Sequence, residues 1–322
     1  MDRRYFLRTA TLLTGSFGLH GCSDPAAPED DSKKPRKNEP LKVCLCGDTH
    51  AGYEGSETMP PAETIHRRIL GCFQSYKPNI ICHLGDHIHN LGTDQWTQFD
   101  ALTADIRASA RYYPVFGNHD PGDGGIAAYL DFFNGNMPNN GGDQLYYWVR
   151  HDHVLFVVLD VHDSQSTSHQ TQKTWLENIL VEHEDALFKF VLFHIPPWTT
   201  GGRGPFPYAR AFNATCKDRG VDMVINGHIH AYERFLIDGM NYVVTGGGGG
   251  FGCSQETRFA HCLDTNSDTA SMIPFRKAAA EMNNFVHLEI SRHEATLTAY
   301  DLDENEIDRF SITKELDAFQ AA

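Results

Sequence analysis

Short apolar runs recur along this chain, and a polar or glycine-rich turn follows each of them. Most runs are nearly continuous rather than alternating, which is typical of strands that are covered on both faces. They are LKVCLC before GDTH, NIICHL before GDHIHN, YYPVF before GNHD, FKFVLF before HIPP, VDMVI before NGHIH, and NYVVT before five glycines. The pattern predicts buried strands whose carboxyl ends lead directly into polar loops.

Other stretches have the spacing of helices or of exposed sheets. Apolar residues recur at helical intervals from Ala62 to Tyr76 and from Asp94 to Ser109, and Thr171 to His183 predicts a third helix. From Phe285 to Thr313, apolar and polar residues alternate in three short runs, which predicts antiparallel strands. The segment from Phe251 to Asn284 has little periodicity, and we interpret it as a long functional or partly mobile loop.

The alternation of strands and helices predicts an α/β fold. With the antiparallel strands near the end of the chain, it favours two mixed β-sheets that form a sandwich core flanked by helices. Folds of this kind bind their ligands at the carboxyl ends of the strands. The polar turns after the predicted strands are therefore the expected position of a functional site.

Composition limits the size and the partners of the protein. The chain has 322 residues, 41% of them hydrophobic, and fits one domain over residues 41–322 after a short leader. A formal net charge of −15 disfavours binding to duplex nucleic acid, so a small or flexible substrate is expected. The 18 histidines gather beside Asp, Asn and Gly, where metal ligands are expected.

The first residues have the features of an address and an anchor. Residues 1–21 resemble a twin-arginine export signal, because Arg3 and Arg4 precede a charge-free run that ends at Cys22. A frayed terminal helix is the less favoured alternative. The segment before Cys22 resembles a lipobox, and the charged, proline-containing residues 22–40 predict a disordered tether. We expect a periplasmic or cell-surface protein that touches the membrane only through a lipid on Cys22.

The predicted turns contain side chains that bind metal ions. These candidates, all Asp, Asn or His, are Asp48, His50, Asp86, Asn118, His194, His228 and His230. Two neighbouring cations need hard and borderline ligands of this type, and a shared carboxylate offsets their repulsion. Each motif alone is more often an ordinary turn or a hydrogen-bonded histidine. Five such motifs in this order, each after a strand, predict a metal centre.

The series D-x-H, G-D, G-N-H-D, H and G-H-x-H resembles the calcineurin-like metallophosphoesterase superfamily, over about Leu41 to Ile237. Within it, GHIHAYER, HIPPW and the glycine run look most similar to the purple acid phosphatases and their bacterial relatives. The resemblance implies a four-layer αββα fold and hydrolysis of phosphate monoesters or diesters. It also implies two metal ions per chain, with iron, manganese or zinc as the expected elements.

The resemblance further implies a role for each candidate. One metal would be bound by Asp48, His50, Asp86 and His230, and the other by Asp86, Asn118, His194 and His228. His119 would stabilise the substrate phosphate or protonate the leaving oxygen, and Asp120 would fix the orientation of the His119 ring. The nucleophile would be a hydroxide that bridges the two metals.

Two positions depart from the purple acid phosphatases. Those proteins have a metal-binding tyrosine three residues after the bridging aspartate, where this chain has His89. They also lack the histidine of D-x-H, which is His50 here. The environment of the first metal therefore resembles the phosphodiesterase and calcineurin branches, and we expect no purple colour. His89 is interpreted as a bystander.

The cysteines fall into two groups. Cys44, Cys46, Cys72 and Cys82 lie in predicted strands or a helix and are expected to be small buried hydrophobes. Cys253 and Cys262 flank the irregular segment, and a disulfide between them is a hypothesis for an oxidising compartment.

Three further polar residues have no assigned chemistry. Arg203 either contacts a substrate phosphate or is simply solvated, and both alternatives stay open. Glu233 and Arg234 are expected to form a structural ion pair. The alternative function is a non-catalytic, metal-binding surface lipoprotein that uses the same fold to bind a partner; in that case His119 and Asp120 would serve no purpose.

Overall fold

The computed structural model describes residues 39–55, 60–89, 94–134, 137–138, 140–141, 144–162, 169–201, 204, 206–249, 263 and 269–315. The export signal, Cys22, Arg203, Cys253, Cys262 and all but the last two residues of the tether lie outside the described residues. Among the described residues, no helix combines the length and the apolarity that crossing a membrane requires.

Strands and helices alternate through most of the described chain. The strands are β1 (Leu41–Cys46), β2 (Ile80–His83), β3 (Arg111–Pro114), β4 (Tyr147–His151), β5 (Val154–Val158), β6 (Phe188–Leu192), β7 (Met223–Asn226), β8 (Tyr232–Ile237), β9 (Met240–Thr245), β10 (Arg276–Ala280), β11 (Asn284–Ile290), β12 (Glu294–Asp301) and β13 (Glu306–Thr313). The α-helices are α1 (Ala62–Tyr76), α2 (Asp94–Ser109), α3 (Gly125–Phe132), α4 (His169–Glu182) and α5 (Asn213–Asp218).

The strands form two mixed sheets. The first has the order β13-β12-β11-β1-β2-β3, and the second has the order β10-β8-β9-β7-β6-β5-β4. In the first sheet β1, β2 and β3 are parallel, and β11 joins β1 in antiparallel orientation. In the second sheet β5, β6, β7 and β9 are parallel. The parallel strands therefore end on a common edge in each sheet.

The side chains of β6 show how the layers pack. Phe188, Phe190 and Leu192 belong to the core that also contains the first sheet, α1 and α2. Val191, between them, packs instead in the cluster that contains residues of α4 and α5. Because successive side chains of a strand point to opposite faces, the second sheet is covered by the first sheet on one face and by helices on the other. The predicted sandwich with flanking helices is confirmed.

Most predicted elements are present, with one correction. The helices α1 and α2 have the predicted bounds, and α4 begins at His169, two residues before its predicted start. The supposed loop from Phe251 to Asn284 contains an edge strand, β10, which pairs with β8. The residues of β10 are half-buried or exposed, so they lack a hydrophobic pattern. Pairing with β8, and not a sequence periodicity, makes this segment a strand.

Candidate metal centre

The candidate ligands lie where the carboxyl ends of the two sheets meet. The loops after β1, β2 and β3 belong to the first sheet and carry Asp48, His50, Asp86 and Asn118. The loops after β6 and β7 belong to the second sheet and carry His194, His228 and His230. The site is therefore built from both halves of the sandwich.

Several ligands have an unusual backbone conformation. The φ angles of Asp48, His50, Asp86 and His228 are 61°, 50°, 55° and 69°. Non-glycine residues rarely adopt this left-handed region, and those that do cluster at functional sites, where the surrounding structure holds them. Glycine gives these turns the space that they need. A Cβ atom at Gly85, which has a φ of 93°, would lie 2.6 Å from Nδ1 of His194.

The first group of candidate metal ligands, called the first metal-ligand group below, consists of Asp48, His50, Asp86 and His230. Nε2 of His230 lies 3.2 Å from Nε2 of His50 and 3.4 Å from Oδ1 of Asp48. Oδ2 of Asp86 lies 3.6 Å from Nε2 of His50. All four side chains are buried.

The second group of candidate metal ligands, called the second metal-ligand group below, consists of Asp86, Asn118, His194 and His228. Nε2 of His194 lies 3.2 Å from Oδ2 of Asp86, 3.2 Å from Oδ1 of Asn118 and 3.3 Å from Nδ1 of His228. Nδ1 of His194 is 2.7 Å from the carbonyl oxygen of Leu84 and donates to it, so Nε2 is the nitrogen that faces the other candidate ligands. Oδ2 of Asp86 therefore faces both groups.

The chemistry of these groups fits cations. Imidazole nitrogens and carboxylate oxygens come together in two groups, Asp48 with His50 and His230 and Asp86 with His194 and His228, in combinations that zinc, iron and manganese accept. Burial acts to lower the pKa of His194, but the charges of Asp86 and Asp48 overcome it and raise this pKa to about 10. The carboxylates thus favour positive charge at this position, as a cation site requires.

His119 lies at the edge of the two groups and remains accessible. Its side chain is 20% exposed, and its Nε2 lies 4.0 Å from Oδ2 of Asp86. Its other ring nitrogen, Nδ1, is 3.4 Å from the carbonyl oxygen of His89. A partly exposed imidazole beside the proposed metal positions can reach a bound substrate, whereas the buried side chains of Asp48, His50 and Asp86 cannot.

The predicted role of Asp120 as the partner of the His119 ring is wrong. The Asp120 carboxylate is fully buried and accepts hydrogen bonds from Nδ1 of His87 and from the backbone nitrogens of Asp86, His87 and Gly117. These four hydrogen bonds direct the Asp120 carboxylate toward His87 and the surrounding backbone, and not toward the ring of His119. Asp120 instead joins the loop that holds Asp86 to the loop that holds Asn118.

Sequence reasoning missed a buried polar network behind the ligands. Oγ1 of Thr49 lies 2.7 Å from Nε2 of His83 and 3.1 Å from Nδ1 of His66. Nδ1 of His66 is also 2.8 Å from the carbonyl oxygen of Gly248. The ring of His83 stacks on that of His87 at 3.9 Å between centroids. The high number of histidines in the sequence was the available signal for this network. Sequence spacing alone does not distinguish histidines that bind metal from histidines that form the network behind the ligands.

The expected ion pair between Glu233 and Arg234 is also corrected. The buried carboxylate of Glu233 accepts hydrogen bonds from the hydroxyl groups of Thr199 and Thr200, both at 2.5 Å. Arg234 pairs with Asp308 at 2.6 Å. Neighbouring residues in β8 point to opposite faces of the sheet, so the two charges have different partners.

The cysteines Cys44, Cys46, Cys72 and Cys82 are buried free thiols, as predicted.

The fold and the paired ligand groups are those of a metallophosphoesterase. The family described as "Calcineurin-like phosphoesterase" matches residues 41–232, which is more than half of the chain. The chain therefore belongs to the calcineurin-like phosphoesterase family.

Individual proteins agree with this assignment. Purple acid phosphatase 15 of Arabidopsis thaliana is 24% identical over 181 residues, which are 50% of this chain and 34% of that protein. The chain thus spans about a third of the length of this curated relative.

Solved structures share the fold. The purple acid phosphatase PPD1 of yellow lupin (Lupinus luteus) has a TM-score of 0.68 at 18% identity, covering 86% of this chain and 54% of the other. GAP50 of Plasmodium, described as the anchor in the inner membrane complex, has a TM-score of 0.64 at 16% identity, covering 87% and 90%. A dimetal phosphatase of Danio rerio has a TM-score of 0.59 at 15% identity, covering 85% and 99%.

Proposed function

We propose that this protein hydrolyses small phosphate esters with the help of two metal ions. The central support is the position of Asp86, whose Oδ2 atom lies 3.6 Å from Nε2 of His50 and 3.2 Å from Nε2 of His194. One carboxylate oxygen thus faces both ligand groups, which suits a ligand shared by two metals. Ions bound there would neutralise phosphate charge and lower the pKa of water to about 7, which supplies a hydroxide nucleophile.

The residues of the chain would divide the remaining work. Asp86 would offset the repulsion between the two cations, and Asn118 would offer its Oδ1 atom, 3.2 Å from Nε2 of His194, to the second of them. His119 is the proposed acid catalyst. With Nδ1 directed at the carbonyl oxygen of His89, its Nε2 atom is left to contact the phosphate or the leaving oxygen. This assignment places a partly exposed proton donor beside the candidate ligands.

The substrate class can be tested with paired chromogenic esters. We propose a monoester or a diester of phosphoric acid, and manganese, iron or zinc as the metals. The purified protein would be stripped of metal, loaded separately with each of the three, and assayed on p-nitrophenyl phosphate and on its bis ester. Hydrolysis that depends on added metal supports the proposal, and the faster ester identifies the class. A protein that holds two metals and cleaves neither ester contradicts it.

The alternative is a non-catalytic surface lipoprotein that binds metal and a partner with the same fold. The fold of GAP50, described as an anchor, is the observation that keeps this alternative in view. Against it, His119 is 20% exposed beside the ligand groups, where a purely structural metal site has no use for it. Loss of hydrolysis in His119→Ala with full metal content would exclude the alternative.

We also propose that the protein is exported by a twin-arginine route and anchored through a lipid on Cys22. The support is Arg3 and Arg4 before a charge-free run that ends at this cysteine. The test is expression of the full-length protein in a bacterium with a twin-arginine pathway. Metabolic labelling with a fatty acid should mark the wild type but not Cys22→Ser, and Arg3→Lys combined with Arg4→Lys should leave the protein in the cytoplasm.

A further inference from the structure

His89 lies beside the first metal-ligand group. Its Nδ1 atom is 3.3 Å from Nδ1 of His50. The other nitrogen of His50, Nε2, lies 3.2 Å from Nε2 of His230 and 3.6 Å from Oδ2 of Asp86. The imidazole of His50 therefore faces the proposed metal position on one side and His89 on the other.

The backbone explains why the two rings are neighbours. The chain after β2 runs parallel to the chain after β1, with a bridge between Ala51 and Ile88. The backbone N–H of His50 donates to the carbonyl oxygen of Asp86, in the loop after β2, at 3.0 Å. The backbone N–H of His89 donates to the carbonyl oxygen of Ala51 at 3.0 Å and to Oε1 of Gln95 at 2.8 Å. The position of His89 relative to His50 is thus set by the protein itself.

The hydrogen bond between the rings has a defined direction when metal is bound. A neutral imidazole has one donor and one acceptor nitrogen, and a metal ligand must present its lone pair to the ion. His50 would therefore keep its proton on Nδ1, which is directed at Nδ1 of His89. We propose that His89 is a positioning residue, which accepts this hydrogen bond and holds the His50 ring with Nε2 toward the metal. This inference rests on the proposed metal centre.

The same residue also contacts the proposed acid catalyst. The carbonyl oxygen of His89 is 3.4 Å from Nδ1 of His119, and the two rings are nearly parallel, with centroids 5.8 Å apart. His89 thus lies between a metal ligand and the residue that faces the substrate. Its side chain orients the former, and its backbone accepts from the latter. This arrangement replaces the interpretation of His89 as a bystander.

A third ion is the competing explanation for this cluster. One nitrogen from each of His50, His89 and His119 lies within 4.8 Å of the others, which is close enough to surround a cation. However, His50 would then bind an ion through each nitrogen and would have to lose its single N–H proton, which makes the ring an anion. The hydrogen bond leaves the ring neutral, so it fits the paired metal centre better. Three ions per chain would be the signature of the alternative.

The test is metal affinity rather than turnover. Metal-free wild type, His89→Ala and His89→Gln would be titrated with Co²⁺, followed by calorimetry and by visible absorption. Removal of a residue that orients a ligand typically weakens metal binding by about 10- to 100-fold, so His89→Ala should weaken one of two Co²⁺ sites by this factor. His89→Gln keeps an acceptor oxygen and should recover most of the affinity, with an absorption spectrum like that of wild type.

The control is His153→Ala. His153 is also partly buried and bonded through both nitrogens, to Asp152 at 2.9 Å and to Ser291 at 3.0 Å, and it lies in the turn between β4 and β5. This control should bind Co²⁺ as wild type does. Unchanged affinity in His89→Ala would overturn the proposal. Equal losses of Co²⁺ affinity in His89→Ala and His89→Gln would indicate that His89 is a direct ligand. A third Co²⁺ bound to wild type would indicate that His89 belongs to another metal site. Either result overturns the positioning role.

Failure of the proposed function gives a different result. A wild type that binds two Co²⁺ ions and shows the expected losses, yet hydrolyses no phosphate ester with any metal, contradicts the catalytic proposal alone. A wild type that binds no Co²⁺ contradicts both.

Discussion

Oδ2 of Asp86 and Nε2 of His194 lie 3.2 Å apart, although the two residues follow strands of different sheets. Asp86 follows β2 of the first sheet, and His194 follows β6 of the second. Burial acts to raise the pKa of Asp86, but the charge of His194 and its hydrogen bond to this carboxylate hold the pKa well below its usual range. The anionic form is thus favoured in the interior, between the two ligand groups.

Asp86→Asn should reduce the metal content below two ions per chain. A neutral amide cannot offset the repulsion between two neighbouring cations as a shared carboxylate does. Elemental analysis of the purified protein measures the effect. Asp222→Asn is the matched control, because the side chain of Asp222 is only 8% exposed but pairs with Lys314 at 2.5 Å, away from the ligands. Two metals per chain in Asp86→Asn would show that this carboxylate does not bridge.

His119→Ala should keep both metals and the fold while losing turnover. A positioned acid typically contributes about 10²- to 10⁴-fold, so kcat should fall by this factor. Steady-state kinetics with p-nitrophenyl phosphate, together with elemental analysis, separates this loss from metal loss. His153→Ala serves as the control histidine. A kcat within error of wild type would remove His119 from the mechanism.

Asp120→Ala should destabilise the protein. The change leaves buried donors at Asp86, His87 and Gly117 without their acceptor, and each such donor costs about 1–3 kcal/mol. Urea unfolding of the metal-free protein measures the change in the free energy of unfolding. His119→Ala should leave this free energy close to that of wild type. If Asp120→Ala is as stable as wild type and loses only kcat, Asp120 acts on His119 after all.

His66 should make the folded protein sensitive to acid. Burial lowers the pKa of His66 to about 4, although its hydrogen bond with the carbonyl oxygen of Gly248 acts in the opposite direction. Above about pH 6.5, His66 is unprotonated in both the folded and the unfolded protein. Below this pH, His66 takes up a proton in the unfolded protein first. The free energy of unfolding should therefore fall by about 1.4 kcal/mol per pH unit between about pH 6.5 and pH 4 because of this residue.

The comparison of His66→Gln with wild type isolates this contribution. Urea unfolding of both metal-free proteins across that pH range should give a shallower pH dependence for the variant. Other buried histidines contribute equally to both proteins and cancel in the difference. If the free energy of unfolding of both proteins has the same pH dependence, His66 does not titrate as its burial implies.

Local patterns were sufficient for much of the fold. The apolar runs that became β1, β2, β6 and β9 are buried on both faces, so their hydrophobicity is continuous and readable without a partner. The bounds of α1 follow from its apolar spacing in the same way. The edge strand β10 carries no such signal, because its stability depends on pairing with β8.

The amino-acid sequence by itself determined the ligand types, their order and the family resemblance, because each ligand follows directly after a strand and each motif is local. Only the tertiary structure decided which atoms meet. The backbone nitrogen of His228 donates to both oxygens of Asp48, at 3.1 and 2.9 Å, across 180 positions of the chain. The contact of Asp120 with His87 rather than with His119 is likewise a result of the tertiary structure. Side-chain partners depend on how the two sheets pack, and that packing is a property of the whole chain.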